Sequence, residues 1–360
     1  MKLFLHVGTE KTGSSHIQTV SVTGRAHLQY SGIWFPEGIP RHEARMRVGL
    51  VSAGNGCAVA QLAREGNYPG VETELGRYLE AAQARGCWAV FLTSELLLPY
   101  IADGNAWNAL FSAARQVGFA EISILIVLRD PVDQLLSLYK HRARSGTAGR
   151  IDEWLASGDR LACDLQVLRE STESAYIEFR ARGYTRKSGG LEGIFFDDWL
   201  GVSTPQVAIG AEVNPSLTLS ELEFLRQMNN RCPELVPILH QKLAGVPRKA
   251  KVQGSALEAH ARAVAEKVIW ENREEWRRWN DVLSDDERLD IPAKSPDVQN
   301  GPKEVEFSVR QIEALVGFMA ESAQLKFIAR LWWRARVRPF LGKMKRLFCR
   351  TGYGKSRAAR

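Results

Sequence analysis

Residues 3–18 constrain the fold of this chain more than any other stretch, because they combine a buried strand, a glycine turn and the start of a helix. The apolar residues at the beginning predict the strand, and the turn begins at Gly8 and ends at Gly13. Backbone N–H groups at a helix N-terminus point toward an anion, and the helix dipole favours negative charge there. We therefore predict that this turn binds a phosphate group. The candidate phosphate-binding side chains in and beside the turn are Lys11, Thr12, Ser14 and Ser15.

The position of the lysine distinguishes this turn from the loops that bind nucleoside triphosphates. In the Walker pattern G-x-x-x-x-G-K-[ST] the lysine follows the second glycine, whereas Lys11 precedes Gly13 by two residues. We therefore expect Lys11 to approach the ligand from the other side of the turn. The alternative interpretation is that the two glycines only shape a surface turn.

A second motif begins where another buried strand ends. Residues 122–128 are apolar except for one serine, which is typical of a central parallel strand covered on both faces. Arg129 follows directly, Asp130 is a favourable N-cap and Pro131 suits the first turn of a helix. Ser137 lies about two turns into that helix, on the side that can face the strand end. The alternative is an arginine that caps a strand and a serine buried in a helix.

Together, the two motifs resemble those of the sulfotransferases that use 3′-phosphoadenosine 5′-phosphosulfate (PAPS). The order Lys-Thr-Gly-Ser-Ser at residues 11–15 resembles the 5′-phosphosulfate loop of that family. Family members also have an arginine at a strand end and a serine eight positions later, which grip the 3′-phosphate. The resemblance implies PAPS as the sulfuryl donor and 3′,5′-adenosine bisphosphate (PAP) as the product. The cofactor-binding residues that it implies are Thr12, Gly13, Ser14, Ser15, Arg129 and Ser137.

Sulfuryl transfer also needs a group that stabilises the leaving phosphate and a general base for the acceptor. Lys11 is the natural candidate for the first role, since negative charge develops on the bridging oxygen. For the second role we expect Glu95, which follows the predicted strand 88–93 at the edge where ligands of open α/β sheets bind. The family carries its base at such a strand end, often as glutamate in carbohydrate-directed members. The alternative is a glutamate that caps the next turn.

His42 is a further candidate on the acceptor side, because a histidine recurs near this position in bacterial relatives; the alternative is an ordinary surface histidine. We expect no metal ion. Sulfuryl transfer carries less negative charge than phosphoryl transfer, and the sequence has no Asp/Glu pattern suited to hold a metal.

Alternating strand and helix patterns predict the α/β class, with a P-loop-type parallel β-sheet flanked by helices on both faces and a helical C-terminal region. Residues 33–36 are interpreted as a loop and residues 255–283 as one long helix. Thr218 and Glu221 predict a capping box. The predicted organisation is a sulfotransferase-like domain at 1–290, a polar loop at 291–307, a helix at 308–338 and a basic amphipathic tail at 339–360.

The net charge of +7 belongs to the C-terminal tail. Residues 331–360 contain ten of the 48 Lys and Arg residues and no Asp or Glu, which leaves the rest of the chain slightly acidic. Residues 331–350 mix cationic and aromatic side chains, a pattern typical of an interfacial helix on an anionic membrane. The alternatives are a solvated end with Trp332 and Trp333 packed on the domain, or binding to another polyanion. No nucleic-acid recognition module accompanies the tail, and we expect no nucleic-acid partner.

The five cysteines are odd in number, widely spread and without metal-ligand spacing, which predicts a reduced, cytoplasmic setting. No apolar run approaches the roughly 20 residues needed to span a bilayer. Because the first strand carries the phosphate-binding motif, we also expect no cleaved leader at the N-terminus.

These features lead to the hypothesis of a PAPS-dependent sulfotransferase that acts on a hydroxyl or amine. The expected acceptor is a carbohydrate, a cell-surface glycoconjugate precursor or another small molecule, and the expected place of action is the cytoplasm or the inner face of the membrane. One alternative is a small-molecule kinase on the same P-loop scaffold. Another is a protein of this fold that binds nucleotide without turnover, because the segment 150–195 looks shortened relative to the family.

Overall fold

The computed structural model of the chain describes residues 1–101, 103–145, 148–155, 161–173, 176–184, 190–207, 217–298, 301 and 305–332. Within these residues one sheet is formed by β1 (Lys2–Val7), β2 (Ile33–Trp34), β3 (Ala89–Ser94), β4 (Glu121–Arg129) and β5 (Ile177–Tyr184). The α-helices are α1 (Ser14–Thr23), α2 (Arg25–Tyr30), α3 (Pro40–Arg47), α4 (Cys57–Arg64), α5 (Tyr68–Gln83), α6 (Leu97–Tyr100), α7 (Gly104–Val117), α8 (Pro131–Arg142), α9 (Ile151–Leu155), α10 (Leu161–Ser171), α11 (Leu219–Asn229), α12 (Val236–Ala244), α13 (Ala256–Glu271), α14 (Arg273–Asn280) and α15 (Val309–Trp332). A π-helical segment spans Gly193–Leu200, and short 3₁₀ turns lie at Ala143–Ser145, Pro233–Leu235, Arg248–Ala250 and Asp285–Glu287.

Parallel pairing places β1 at the centre of the sheet. The strand order is β2-β3-β1-β4-β5, and each neighbouring pair is parallel. The carboxyl ends of parallel strands meet at one edge, which is where open α/β sheets bind their ligands. Since Val7 of β1 pairs with Ser94 of β3, Gly8 and Glu95 come next to each other at this edge. Arg129 ends β4 on the other side of β1.

Helices cover both faces of the sheet, so the predicted α/β class is confirmed. Leu5 of β1 belongs to a core cluster with Leu75 of α5 and Trp107 of α7. Its neighbour Phe4 belongs to the opposite cluster, with Ile17 of α1 and the π-helical segment. This division follows from the alternation of side chains across a strand.

Two local predictions are wrong. Residues 33–36 are not wholly a loop, because Ile33 and Trp34 form the short edge strand β2 beside β3. Two residues are too few to show the alternating pattern of a strand. The predicted helix 255–283 is divided at Asn272 into α13 and α14. The Asn272 side chain donates to the Val268 carbonyl oxygen over 2.9 Å and so competes with the continuing helix.

The segment after α8 contains more structure than its sequence indicated. The helices α9 and α10 and the strand β5 lie within residues 151–184, and β5 extends the sheet beyond β4. The predicted strand 175–179 corresponds to β5 in part, although residue 175 lies outside the described residues. The charged appearance of this segment arises because β5 is an edge strand in the described sheet and is only half-buried.

The predicted capping box at the start of α11 is present and forms part of a larger buried cluster. Thr218 Oγ1 accepts from the Glu221 N–H over 3.2 Å, and a Glu221 oxygen accepts from the Thr218 N–H over 2.7 Å. Lys251 Nζ lies 3.0 Å from the same carboxylate, and both side chains are fully buried. Gln311 Nε2 donates to its other oxygen over 2.8 Å. Glu221 therefore joins α11, the segment around Lys251 and the first turn of α15.

Among the described helices, none is both long and apolar enough to span a bilayer. The cysteines Cys57, Cys87 and Cys232 are free thiols.

Replacing Lys251 by Met is expected to lower the free energy of unfolding by about 3–5 kcal/mol, because the buried Glu221 carboxylate would lose its cation. Urea denaturation followed by circular dichroism measures this loss. Lys249→Met is the matched control, since Lys249 is exposed on the same segment and its replacement should change stability by less than about 0.5 kcal/mol. Equal effects of the two substitutions would contradict the importance of the buried ion pair.

Candidate active site

The loop between β1 and α1 presents a run of backbone N–H groups without acceptors. Lys11 and Gly13 adopt left-handed backbone conformations, with φ angles of 69° and 90°. In the described part of the chain, no N–H group from Thr9 to Ser15 has a hydrogen-bond acceptor. Successive free N–H groups in such a turn, at a helix N-terminus, form a concave site for an anion. A positive φ is uncommon for lysine, and the loop adopts it here where the anion would bind.

The hydroxyl groups of this loop differ in their partners. Thr12 Oγ1 donates to the Thr9 carbonyl oxygen over 2.7 Å, so the Thr12 hydroxyl stabilises the loop itself. Ser14 Oγ is buried beside Glu95 without a hydrogen bond of normal geometry. A Cβ atom on Gly8 would lie 2.9 Å from Ser14 Oγ and 3.0 Å from Glu95 Cγ, so this close approach requires glycine. Ser15 is half-buried in the first turn of α1.

Lys11 lies in a cationic environment. Burial and the nearby Arg144 lower the pKa of Lys11, Glu95 and Glu10 act in the opposite direction, and Arg129 lowers it further. Arg129 Nη1 also donates to the Lys11 carbonyl oxygen over 3.1 Å, which fixes the loop against the end of β4. The positive charges of Lys11, Arg129 and Arg144 repel one another, and an anion bound between them would offset this repulsion. This part of the site is therefore electrostatically suited to a negatively charged ligand.

Arg144 and the uncharged His141 lie near Lys11, and no sequence motif indicated either residue. His141 follows Ser137 by four residues, and Arg144 follows His141 by three. These spacings place Ser137, His141 and Arg144 on one face of α8 and its 3₁₀ extension. Arg144 is half-buried, burial lowers its pKa, and it has no ion-pair partner among the described residues. Burial, Lys11, Arg144 and Arg142 lower the pKa of His141 to about 4, so its ring is neutral at pH 7.

A second group of cations surrounds a cavity of about 410 Å³ beside α8, which we call the basic cavity. Arg129 and Ser137 both line it. Its other cations come from α8, α13 and the segment before α13, and they are Lys140, Arg248, Lys251 and Arg262. Lys251 is neutralised by Glu221, and Arg262 pairs with Asp133. Arg248 has no ion-pair partner among the described residues and comes from a distant part of the sequence, so no local pattern could have indicated it.

Glu95 follows β3 and faces the loop from the other side. Burial raises the pKa of Glu95 to about 7, the Ser14 hydroxyl and Lys11 act against this effect, and the Glu10 carboxylate adds to it. A carboxyl group with this pKa exchanges its proton near neutral pH, which is suitable for a general base. Glu95 lines a separate cavity of about 480 Å³, which we call the Glu95 cavity.

The structure thus brings the predicted residues Lys11, Gly13, Ser14 and Ser15 together with Glu95 and Arg129, and Ser137 meets Arg129 in the basic cavity. His42 is located elsewhere. It lies on α3, where its Nδ1 accepts from the Ala53 N–H over 3.1 Å, and it lines neither cavity. A role for His42 stays a prediction. No group of His, Cys, Asp or Glu side chains suited to a metal ion occurs in the described residues.

No protein-family model matches the chain, and no curated protein matches it either. Among solved structures, the chain is similar to the crystal structure of a sulfotransferase from Alicyclobacillus acidocaldarius, with 20% sequence identity. The similar region covers 66% of this chain and 95% of that chain, and the TM-score is 0.36. Because both the identity and the TM-score are low, function is inferred below from the geometry of the site alone.

Proposed function

We propose that this protein transfers a sulfuryl group from PAPS to a hydroxyl or amine of an acceptor. One observation carries the proposal, namely two anion-binding surfaces joined by Arg129. The first is the loop with free N–H groups from Thr9 to Ser15, and the second is the basic cavity. Arg129 lines the basic cavity and also donates to the Lys11 carbonyl oxygen. A ligand with two separate phosphate-type groups suits this arrangement, and PAPS carries such groups on the 5′ and 3′ positions of one ribose.

The residues of the site fit this ligand. The free N–H groups of the loop and the Ser14 hydroxyl, which lies beside Glu95, match the oxygens of a 5′-phosphate. Arg129, Ser137 and Arg248 match a 3′-phosphate, because arginine binds phosphate oxygens through two parallel hydrogen bonds. When bound, PAPS supplies a sulfur atom that is open to attack and a phosphate that can leave.

The roles of the protein groups follow from the charges that change during transfer. Glu95 accepts the proton of the acceptor hydroxyl while the acceptor oxygen forms its bond to sulfur. The bond between sulfur and the bridging oxygen breaks on the opposite side, and Lys11 stabilises the negative charge left on that oxygen. Because Lys11 and the N–H groups are held in place before the charge develops, little reorganisation is needed. Arg144 adds a further cation beside Lys11.

The two alternatives differ from this proposal in testable features. A kinase would bind ATP with Mg²⁺ and is expected to have its lysine after the second glycine of the loop, whereas Lys11 precedes Gly13. A binding protein without turnover would retain the nucleotide but lack transfer. The raised pKa of Glu95 favours an enzyme, because perturbed carboxyl groups in clefts are frequent at catalytic sites. A carbohydrate or glycoconjugate precursor as the acceptor, suggested by the family resemblance, stays a prediction.

We expect PAP to bind much more tightly than ATP, with or without Mg²⁺, in titration calorimetry. Arg129→Ala should weaken PAP binding roughly 10- to 100-fold, because it removes charged hydrogen bonds to the 3′-phosphate. Arg278→Ala serves as the control, since Arg278 is exposed on α14 and lines neither cavity. A preference for ATP that is indifferent to Arg129 would instead favour the kinase.

The rate should depend on the protonation of Glu95. The carboxylate is the active form and its pKa is about 7, so kcat/KM should fall about tenfold per pH unit below pH 7 and level off above it. Glu95→Gln should lower kcat by roughly 10²- to 10⁴-fold and abolish this pH dependence, while PAP binding stays close to that of the wild type. A rate that is constant from pH 5.5 to pH 8 in the wild type would rule out Glu95 as the base.

We also propose that the C-terminal region contacts an anionic membrane surface. Residues 333–360, which include most of the predicted membrane-binding segment, lie outside the described residues. One described feature supports the proposal. Val309, Ile312, Val316 and Met319 of α15 are exposed by 48–71% and recur at spacings of three and four residues. An apolar stripe on a helix that leads into a basic segment is typical of an interfacial anchor.

The protein should therefore sediment with vesicles of phosphatidylcholine and phosphatidylserine but not with phosphatidylcholine alone, and less so at high salt. Replacing both Ile312 and Val316 by Asn should reduce binding at least about fivefold through lost apolar burial. Val48→Asn is a control for an exposed valine outside α15. Equal binding to the two vesicle types would exclude the electrostatic contact.

A further inference from the structure

We infer that the acceptor is an uncharged hydroxyl compound with an apolar body, and that this body binds in the Glu95 cavity. The inference rests on the proposed function, because it takes Glu95 as the base that faces the reacting hydroxyl. It narrows the acceptor beyond the carbohydrate suggested by the family resemblance. The observations that support it are the lining of the cavity, its position beside the loop and its charge.

The Glu95 cavity has two apolar walls. It has a volume of about 480 Å³, which is in the range of small-molecule sites. One wall consists of α6 and the residue before it, and the other belongs to α8. The residues of the first wall are Leu96, Leu98, Pro99 and Tyr100, and those of the second are Pro131, Leu135 and Leu138.

The cavity and the basic cavity lie on different faces of the same helix. Leu135 and Leu138 of α8 line the Glu95 cavity, whereas Ser137 and Lys140 line the basic cavity. The loop residues Gly8, Thr9 and Glu10 border the Glu95 cavity as well. A ligand in the Glu95 cavity would therefore approach the loop from the side opposite the 3′-phosphate. The acceptor and the 3′-phosphate would thus occupy separate cavities, and the acceptor hydroxyl would lie beside the loop that holds the 5′-phosphosulfate.

The polar part of the cavity is acidic. Its acidic lining residues are Glu95, Glu10 and Asp164, and its other polar lining residues include Gln134 and Arg142, which is bound to both Glu10 oxygens over 2.8 Å. Extra negative charge disfavours a carboxylate or an already sulfated acceptor. A simple sugar would place several hydroxyl groups against the leucine and proline side chains of the two walls, and these side chains offer no hydrogen-bond partners. An alkyl or aryl body has no hydrogen bonds to lose there, and burial of its apolar surface stabilises the complex.

The test compares two phenols that share one reacting group and differ in their apolar body, and it adds a sugar as a third acceptor. Phenol and 4-pentylphenol have similar hydroxyl groups, and methyl glucoside represents a sugar without an apolar body. Transfer of labelled sulfate from PAPS is measured for each. We expect kcat/KM for 4-pentylphenol to exceed that of phenol about tenfold or more, through burial of the alkyl chain, and to exceed that of methyl glucoside by at least as much.

A cavity variant tests the location. Leu138→Asn should reduce the advantage of 4-pentylphenol over phenol to less than about threefold, mainly through a higher KM. Leu96→Asn, from the opposite wall, should have the same effect, and it keeps the test valid if one variant folds poorly. Val282 is exposed and lines neither cavity, so Val282→Asn should leave the ratio of kcat/KM for the two phenols unchanged.

PAP binding, measured by calorimetry on the same samples, distinguishes a failure of the acceptor inference from a failure of the proposed function. Normal PAP binding with preferred turnover of methyl glucoside, or with no turnover of either phenol, overturns the inference about the acceptor and leaves the PAPS site intact. Absence of both PAP binding and transfer overturns the proposed function itself. An undiminished preference for 4-pentylphenol in both cavity variants would place the acceptor elsewhere and also contradict the inference.

Discussion

The central position of β1 in a parallel sheet is the constraint on which the rest of the site depends. Because β3 and β4 flank β1 and run in the same direction, the segments after the three strands meet at one edge. The loop after β1 supplies free N–H groups, β3 leads to Glu95 and β4 ends at Arg129. The hydrogen bond from Arg129 to the Lys11 carbonyl oxygen then joins two of these segments directly. No single segment contains a complete site.

The electrostatics of this edge divide it into two zones. Lys11, Arg129 and Arg144 form a cationic zone that repels itself until an anion binds. Glu95 and Glu10 form an acidic zone next to it, where burial keeps the Glu95 proton in exchange near neutral pH. Binding of an anionic ligand to the first zone stabilises the folded protein by mass action. The cationic zone therefore lies beside a carboxyl group that can accept a proton near neutral pH.

The sequence was sufficient for the parts of this protein that depend on local patterns. The apolar runs of β1 and β4 and the capping box at Thr218 are each visible within a few residues, so the α/β class and these elements were predictable. The parts of the site that combine residues from distant segments were not predictable from the sequence. Arg248 meets Ser137 only through the tertiary fold, and the apolar walls of the Glu95 cavity combine α6 with α8. The bond from the Thr12 hydroxyl to the Thr9 carbonyl oxygen is a detail of the loop conformation that no sequence pattern shows, and the role of Thr12 in binding the ligand stays a prediction.

The buried Glu221 carboxylate links the C-terminal helix to the basic cavity. One of its oxygens holds Lys251, which lines the basic cavity, and the other is held by Gln311 from the first turn of α15. A chain shortened before residue 308 would lack Gln311 and leave one oxygen of a fully buried carboxylate without its donor. The C-terminal helix is therefore structurally continuous with the α/β domain, and force applied to it, for example by attachment to a surface, would be transmitted to the wall of the basic cavity.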